Sequence, residues 1–172
     1  SANAPWTIPS MASLFTSRPV LDLTTPTGDI IGIPDGTETW ANTLYRAGFS
    51  GGAVVANSTV HVQNGFAQGF NSFLVPSIIP VRGGGPDATW VVREAGKWLA
   101  AHTSEDSFLY LHLMDPHEPY RDHEKGQAPP DLFELAHRMR TALPEEIETI
   151  RKLYAGEVRY VDRILGPFLK SL

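Results

Sequence analysis

Two short runs with few polar breaks, Gly52-Ala53-Val54-Val55-Ala56 and Ser107-Phe108-Leu109-Tyr110-Leu111-His112-Leu113-Met114, constrain this chain more than any other feature. Neither alternates polar with apolar residues along its whole length. Strands covered on both faces read this way, which is the habit of parallel sheets. Between the runs, Pro86 opens a helical pattern in which Ala88, Val91, Val92, Ala95, Trp98, Leu99 and His102 keep an apolar stripe, with Arg93, Glu94 and Lys97 on the wet side. A helix joining two parallel strands implies a right-handed crossover. The chain therefore reads as α/β, with the second run as a central strand.

A helix over Thr37 to Ala47 precedes the first run. Thr37 suits its cap, Trp40, Ala41, Leu44 and Tyr45 follow helical spacing, and Gly48 fits the residue just past its end. Arg18 to Pro34 reads as a loop, as does the looser stretch from Asn57 to Pro80, where Phe66, Phe70 and Phe73 are expected to plug the core. Gly83 to Gly85 read first as a flexible connector and second as an anion cradle. Beyond the second strand come a polar loop over Arg121 to Pro130, a short helix over Asp131 to Arg140 and a long amphipathic helix from Pro144. In that last helix Glu148 can pair with Lys152, and Pro167 should bend or end it near Gly166.

With 172 residues, 42% of them apolar, the chain fits one domain with a substantial core. A net charge of -5 gives no support to nucleic-acid binding. No apolar run is long enough to span a bilayer, and the opening residues lack a basic segment followed by an apolar one. Zero cysteines exclude disulfides, thiolate metal sites and cysteine nucleophiles. The chain opens without Met and is read as a piece of a longer protein, which leaves its compartment open.

Two residues stand where chemistry is expected. Pro9 suits a first helical turn that Met11 to Thr16 continue, so Thr7 should lie just ahead of a helix N-terminus, where free amides and the dipole favour an anion. A plain helix cap is the other reading of Thr7. His117 follows the second strand in the stiff phrase Asp115-Pro116-His117-Glu118-Pro119, and open α/β sheets bind ligands beyond the carboxyl ends of their strands. Asp115, His117, Asp122 and His123 form a weaker candidate metal set, and His112 reads as a hydrogen-bonded core residue.

The phrase Thr7-Ile8-Pro9-Ser10 resembles the nucleophile segment of the sulfatase family, in the alkaline phosphatase superfamily, where Cys or Ser is followed by x-P-S-R. Gly65-Phe66, Gly69-Phe70 and Phe73 resemble its G-F-D-x-G-F-D wording. Leu111-His112-Leu113-Met114-Asp115-Pro116-His117-Glu118-Pro119-Tyr120 resembles the segment ending in P-H-x-P, whose His contacts the ester oxygens. Tyr154 to Asp162 resembles Y-x-G-E-V-x-Y-V-D, in which Glu157 and Asp162 read as structural polar contacts. These segments occur in the family's order along the whole chain.

The resemblance implies a partial alkaline-phosphatase-like fold, with parallel strands flanked by helices in an incomplete sheet, and residues 1–172 as one fragment of a sulfatase-like catalytic domain. It implies a metal-dependent hydrolase of small-molecule sulfate, phosphate or phosphonate esters. Thr7 becomes the nucleophile and a metal ligand, Ser10 a substrate-binding residue, and His117 the residue that binds the ester or protonates its leaving group. A divalent cation (Ca, Mg, Mn or Zn) would stabilise the Thr7 alkoxide. Its acidic ligand pairs fall outside this chain, so none is expected on the fragment, which should be inactive alone. Formylglycine is excluded, because oxidising threonine gives a ketone. Met11 replaces the family's Arg, and the G-K-W-H-L-G segment with its sulfate-binding Lys is missing. Exposed sheet edges lead us to expect self-association of copies of the chain. A non-catalytic binding or assembly module that keeps the fold is the alternative. A serine hydrolase is the weaker reading, on the expectation that the chain carries no G-x-S-x-G elbow.

Overall fold

The computed structural model describes residues 4–23, 32–76, 86–118, 120, 123 and 143–172. The chain divides into two units, residues 1–78 with 93–112, and residues 79–92 with 113–172.

The first unit is built on a three-stranded parallel sheet in the order β2-β1-β3. Strand β1 (Ser50–Val55) is buried along nearly its whole length, as its run of small and β-branched residues requires. It pairs with β2 (Ser72–Leu74) from Gly52 opposite Ser72, and with β3 (Ser107–His112) from Ser50 opposite Ser107 to Val55 opposite His112. Two sequence expectations change here. The central strand is β1, not the run at Ser107, whose residues are all half-buried. The stretch after Asn57 is not all loop, because it contributes the three-residue strand β2. Among the described residues β2 and β3 each keep one unpaired edge.

Gly51 and Gly52 make room for rings on opposite faces of β1. A Cβ on Gly51 would run into the Phe108 ring, and one on Gly52 into the Trp98 indole. The core on one side gathers Ala12, Phe15, Val55, Val60 and Phe66. At its centre Phe15 packs edge-on against Phe66 and Tyr110, with ring centroids 5.4 and 5.2 Å away. Phe66 is fully buried while Phe70 and Phe73 are partly so and pack on the same cluster, which is the plugging role their spacing suggests.

Helix α1 (Thr7–Thr16) starts two residues before Pro9, so Thr7 is its first residue and not the residue ahead of it. Proline is tolerated in a first turn because the amide it lacks has no intrahelical acceptor there. Helix α2 (Trp40–Arg46) is capped by Thr39, not Thr37. The Thr39 hydroxyl accepts the Asn42 amide at 3.1 Å, and the Asn42 side chain accepts the Thr39 amide at 3.1 Å. Gly48 follows the helix with φ of +94°, the left-handed geometry that a glycine meets without strain.

Helix α3 (Ala88–Ala101) begins in the second unit and continues into the first. The second unit's main element is α4 (Pro144–Lys170), a 27-residue helix. Glu146 accepts the Leu143 amide at its start, and Lys152 pairs with Glu148 at 3.6 Å on the exposed face, as its spacing suggests. The helix does not end near Gly166. Pro167 lies within its last turn, and only one turn remains for the missing amide to weaken. Glu157 is buried and meets His123 at 2.5 Å, while Asp162 is exposed. The expected helix over 131–140, the glycine run 83–85, Asp122 and most of the loop 121–130 lie outside the described residues.

Candidate functional site

Thr7 and Ser10 stand three residues apart in the first turn of α1, a spacing that puts them on one face of the helix. Both are half-buried. The cap position belongs to Trp6, which makes no side-chain cap bond, and the first bond of the helix runs from the Ser10 amide to the Trp6 carbonyl at 3.4 Å. The capping reading of Thr7 therefore fails: its hydroxyl accepts none of the described amides. The Thr7 and Ile8 amides precede that first bond and have no intrahelical acceptor, so the positive end of α1 coincides with the hydroxyl.

His117 belongs to the second unit and is exposed, five residues past the end of β3. Its amide donates to the Met114 carbonyl at 2.8 Å, closing a tight turn around Asp115 and Pro116. Its Nδ1 lies 2.7 Å from the Glu118 carbonyl oxygen. A carbonyl only accepts, so Nδ1 carries the hydrogen and Nε2 is left to take up or donate a proton. Thr7 and His117 thus fall in different units.

Asp115 enters through structure more than through sequence. One carboxylate oxygen accepts the Ala88 amide at the head of α3, at 3.1 Å, and the other is buried with no described partner. Burial pushes its pKa upward, the nearby carboxylates Asp87 and Glu157 add to the rise, and the Ala88 amide and its own amide oppose it. Asp87 caps the same helix through the Trp90 amide at 3.1 Å and accepts the Tyr160 hydroxyl at 2.9 Å. His112 is half-buried with Nδ1 at 2.9 Å from the Tyr110 hydroxyl, the hydrogen-bonded core role read from its place in the strand.

Among the described residues no group of three or more His, Asp or Glu side chains is arranged to hold a metal, and Asp122 of the candidate set lies outside them. Thr7 alone offers one hydroxyl oxygen to a cation, so the residues described here do not make up a cation site. Contrary to the expectation of none, one stretch does match G-x-S-x-G, at Gly48-Phe49-Ser50-Gly51-Gly52. Ser50 opens β1, and its amide donates to the Asp106 carbonyl at 2.8 Å. A nucleophile elbow needs a serine at the turn from a strand into a helix, so this match is not one.

No curated protein matches the sequence. Among solved structures, the lipoteichoic acid synthase LtaP from Listeria monocytogenes is similar with a TM-score of 0.54 and 18% identity, over 93% of this chain and 38% of that one. Ps i-CgsB, solved in complex with k-i-k-neocarrahexaose, is similar with a TM-score of 0.56 and 19% identity, over 99% of this chain and 45% of that one. The chain thus spans less than half the length of either. Its fold is α/β and partly alkaline-phosphatase-like, with an incomplete sheet of three described parallel strands. The Sulfatase family model matches residues 1–172, from the first residue to the last, and the chain belongs to the sulfatase family.

Proposed function

We propose that this chain is part of a hydrolase that cleaves sulfate, phosphate or phosphonate esters of small molecules, with Thr7 as nucleophile and His117 as the residue that steadies or protonates the leaving group. The observation that carries the reading is the Thr7 hydroxyl in the first turn of α1, without a capping role and beside amides that have no intrahelical acceptor. Negative charge developing on the Thr7 oxygen or on the anion it attacks is favoured there by the helix dipole. Ser10, one turn on, adds a hydroxyl on the same helix face. With the Nδ1 hydrogen tied to the Glu118 carbonyl, the bare Nε2 atom of His117 can take up a proton and, once the ring is protonated there, give it to the departing oxygen. A divalent cation, which the family commonly uses, would take its acidic ligands from residues outside those described. A threonine nucleophile forms an ester with phosphorus directly and needs no formylglycine, which favours phosphate or phosphonate over sulfate. The 172-residue piece by itself is proposed to be inactive.

The test uses the full-length protein with added divalent cation and both a nitrophenyl phosphate and a nitrophenyl sulfate. Thr7→Ala should lower kcat by at least about a thousandfold, with Thr7→Ser retaining part of it. His117→Ala should cost about 10²- to 10⁴-fold on an alkyl ester, and less on a nitrophenyl ester whose leaving group needs no proton. Turnover unchanged in Thr7→Ala would sink the assignment. Ester binding with no turnover in the unsubstituted full-length protein would favour the non-catalytic module.

A further inference from the structure

The loop after β3 carries His117, yet its contacts with the head of α3 come from Asp115, two residues earlier. The Asp115 carboxylate accepts the Ala88 amide at 3.1 Å, while the Met114 carbonyl and the His117 amide close the intervening turn at 2.8 Å. The turn that carries the imidazole is thus fastened, through Asp115, to a helix amide 27 positions away in sequence. That helix end is itself held. Asp87 caps it through the Trp90 amide, Tyr160 of α4 donates to Asp87 at 2.9 Å, and the Tyr160 and Thr89 hydroxyls lie 2.8 Å apart.

We propose that Asp115 is the positioning residue for His117: by bonding the first amide of α3 it fixes the turn that presents the imidazole Nε2 atom. The inference rests on the proposed role of His117 for its meaning in catalysis, but the geometry it concerns is independent of turnover. Only one carboxylate oxygen is used. The other, buried and without a described partner, contributes no bond that an amide in its place would lose. A neutral acceptor should therefore serve as well as a charged one, which separates positioning from an electrostatic role. A simple capping role is separated by Asp87, which caps the same helix without belonging to the turn.

The test is the ring-nitrogen spectrum of His117 in the full-length protein carrying ¹⁵N-labelled histidine. At a pH where the ring is uncharged, the unsubstituted protein should show the hydrogen on Nδ1, reflecting the Glu118 carbonyl bond. Asp115→Ala should shift this pattern toward a mixture of tautomers, Asp115→Asn should restore it, and Asp87→Ala should leave it unchanged while lowering Tm. On an alkyl ester, Asp115→Ala should lose at least tenfold in kcat with KM changed less than threefold, and Asp115→Asn should stay within about threefold in kcat. An unshifted pattern in Asp115→Ala, or equal shifts in Asp115→Ala and Asp87→Ala, overturns the proposal. Should Asp115→Ala fail to fold, Asp115→Asn decides: loss of the Nδ1–H pattern in that folded variant overturns it. An inactive full-length protein defeats the proposed function, yet the spectra still decide the positioning role.

Discussion

The Tyr110 hydroxyl lies 2.9 Å from Nδ1 of His112, two residues further along β3 and so on the same face of the strand. Tyr110 also packs edge-on against Phe15, so the pair joins the strand's end to the aromatic core. Burial holds the His112 pKa below its ordinary value of 6.5 and raises that of Tyr110. The neutral imidazole is thus the native form, hydrogen-bonded to a tyrosine that keeps its own proton.

The sign of the pH effect follows from that direction. A histidine whose folded pKa is depressed contributes stability that is fully present above the unfolded value, near 6.5. As pH falls from there toward the folded value, the unfolded chain takes up the proton first and the contribution is lost. Melting temperatures measured between pH 7 and pH 5 should therefore fall in the parent chain, and fall less in His112→Gln. Tyr110→Phe removes the hydrogen-bond partner of His112 and should cost about 1 kcal/mol at pH 7. Equal pH dependence in parent and His112→Gln would contradict the assignment.

Glycines of the two element types should respond with opposite signs. Gly52→Ala drives a methyl into the Trp98 indole across β1, which should destabilise by about 1–3 kcal/mol. Gly96 lies inside α3, and a Cβ there meets nothing within 4 Å. Gly96→Ala should stabilise by about 0.5–1 kcal/mol, because alanine loses less backbone entropy on entering a helix. Urea titration of both variants reads this directly, and a neutral Gly52→Ala would show that the indole moves aside freely.

How far the sequence could be read depended on whether one element's own pattern sufficed. Helices α3 and α4 were legible because burial on one face leaves a period in the residues, and strand β1 because burial on both faces leaves an unbroken run of apolar and small residues. Strand β2 has three residues, too few to show any period, and it hides among the phenylalanines that pack beside it. Two threonines competed to cap α2, and the choice of Thr39 rests on tertiary partners: its hydroxyl also bonds the Gln68 carbonyl 29 residues away, at 3.1 Å. The roles of Thr7 and His117 are proposals drawn from wording and position. The Asp115 contact was not legible, because nothing local to Asp115 announces an amide 27 residues upstream.

In α4 the buried Glu157 takes a charge-assisted bond from His123, whose Nε2 stands 2.5 Å from its carboxylate. The His123 ring also stacks on Tyr160 with centroids 3.8 Å apart and planes only 7° from parallel, so packing and polarity are combined in one side chain. They can be separated by substitution. His123→Phe keeps a flat ring over Tyr160 but removes a donor from a carboxylate that is 1% exposed. It should cost about 1.5–3 kcal/mol in urea unfolding, the range for a hydrogen bond to a charged group. His123→Gln keeps a donor and gives up the stack, so its loss should be smaller if the bond dominates. Adding Glu157→Gln to His123→Phe should recover part of the cost, since a neutral amide is less penalised by burial than a carboxylate short of a donor. A His123→Phe variant within about 0.5 kcal/mol of the parent, below the usual worth of such a bond, would show that the stack alone holds this histidine to the helix.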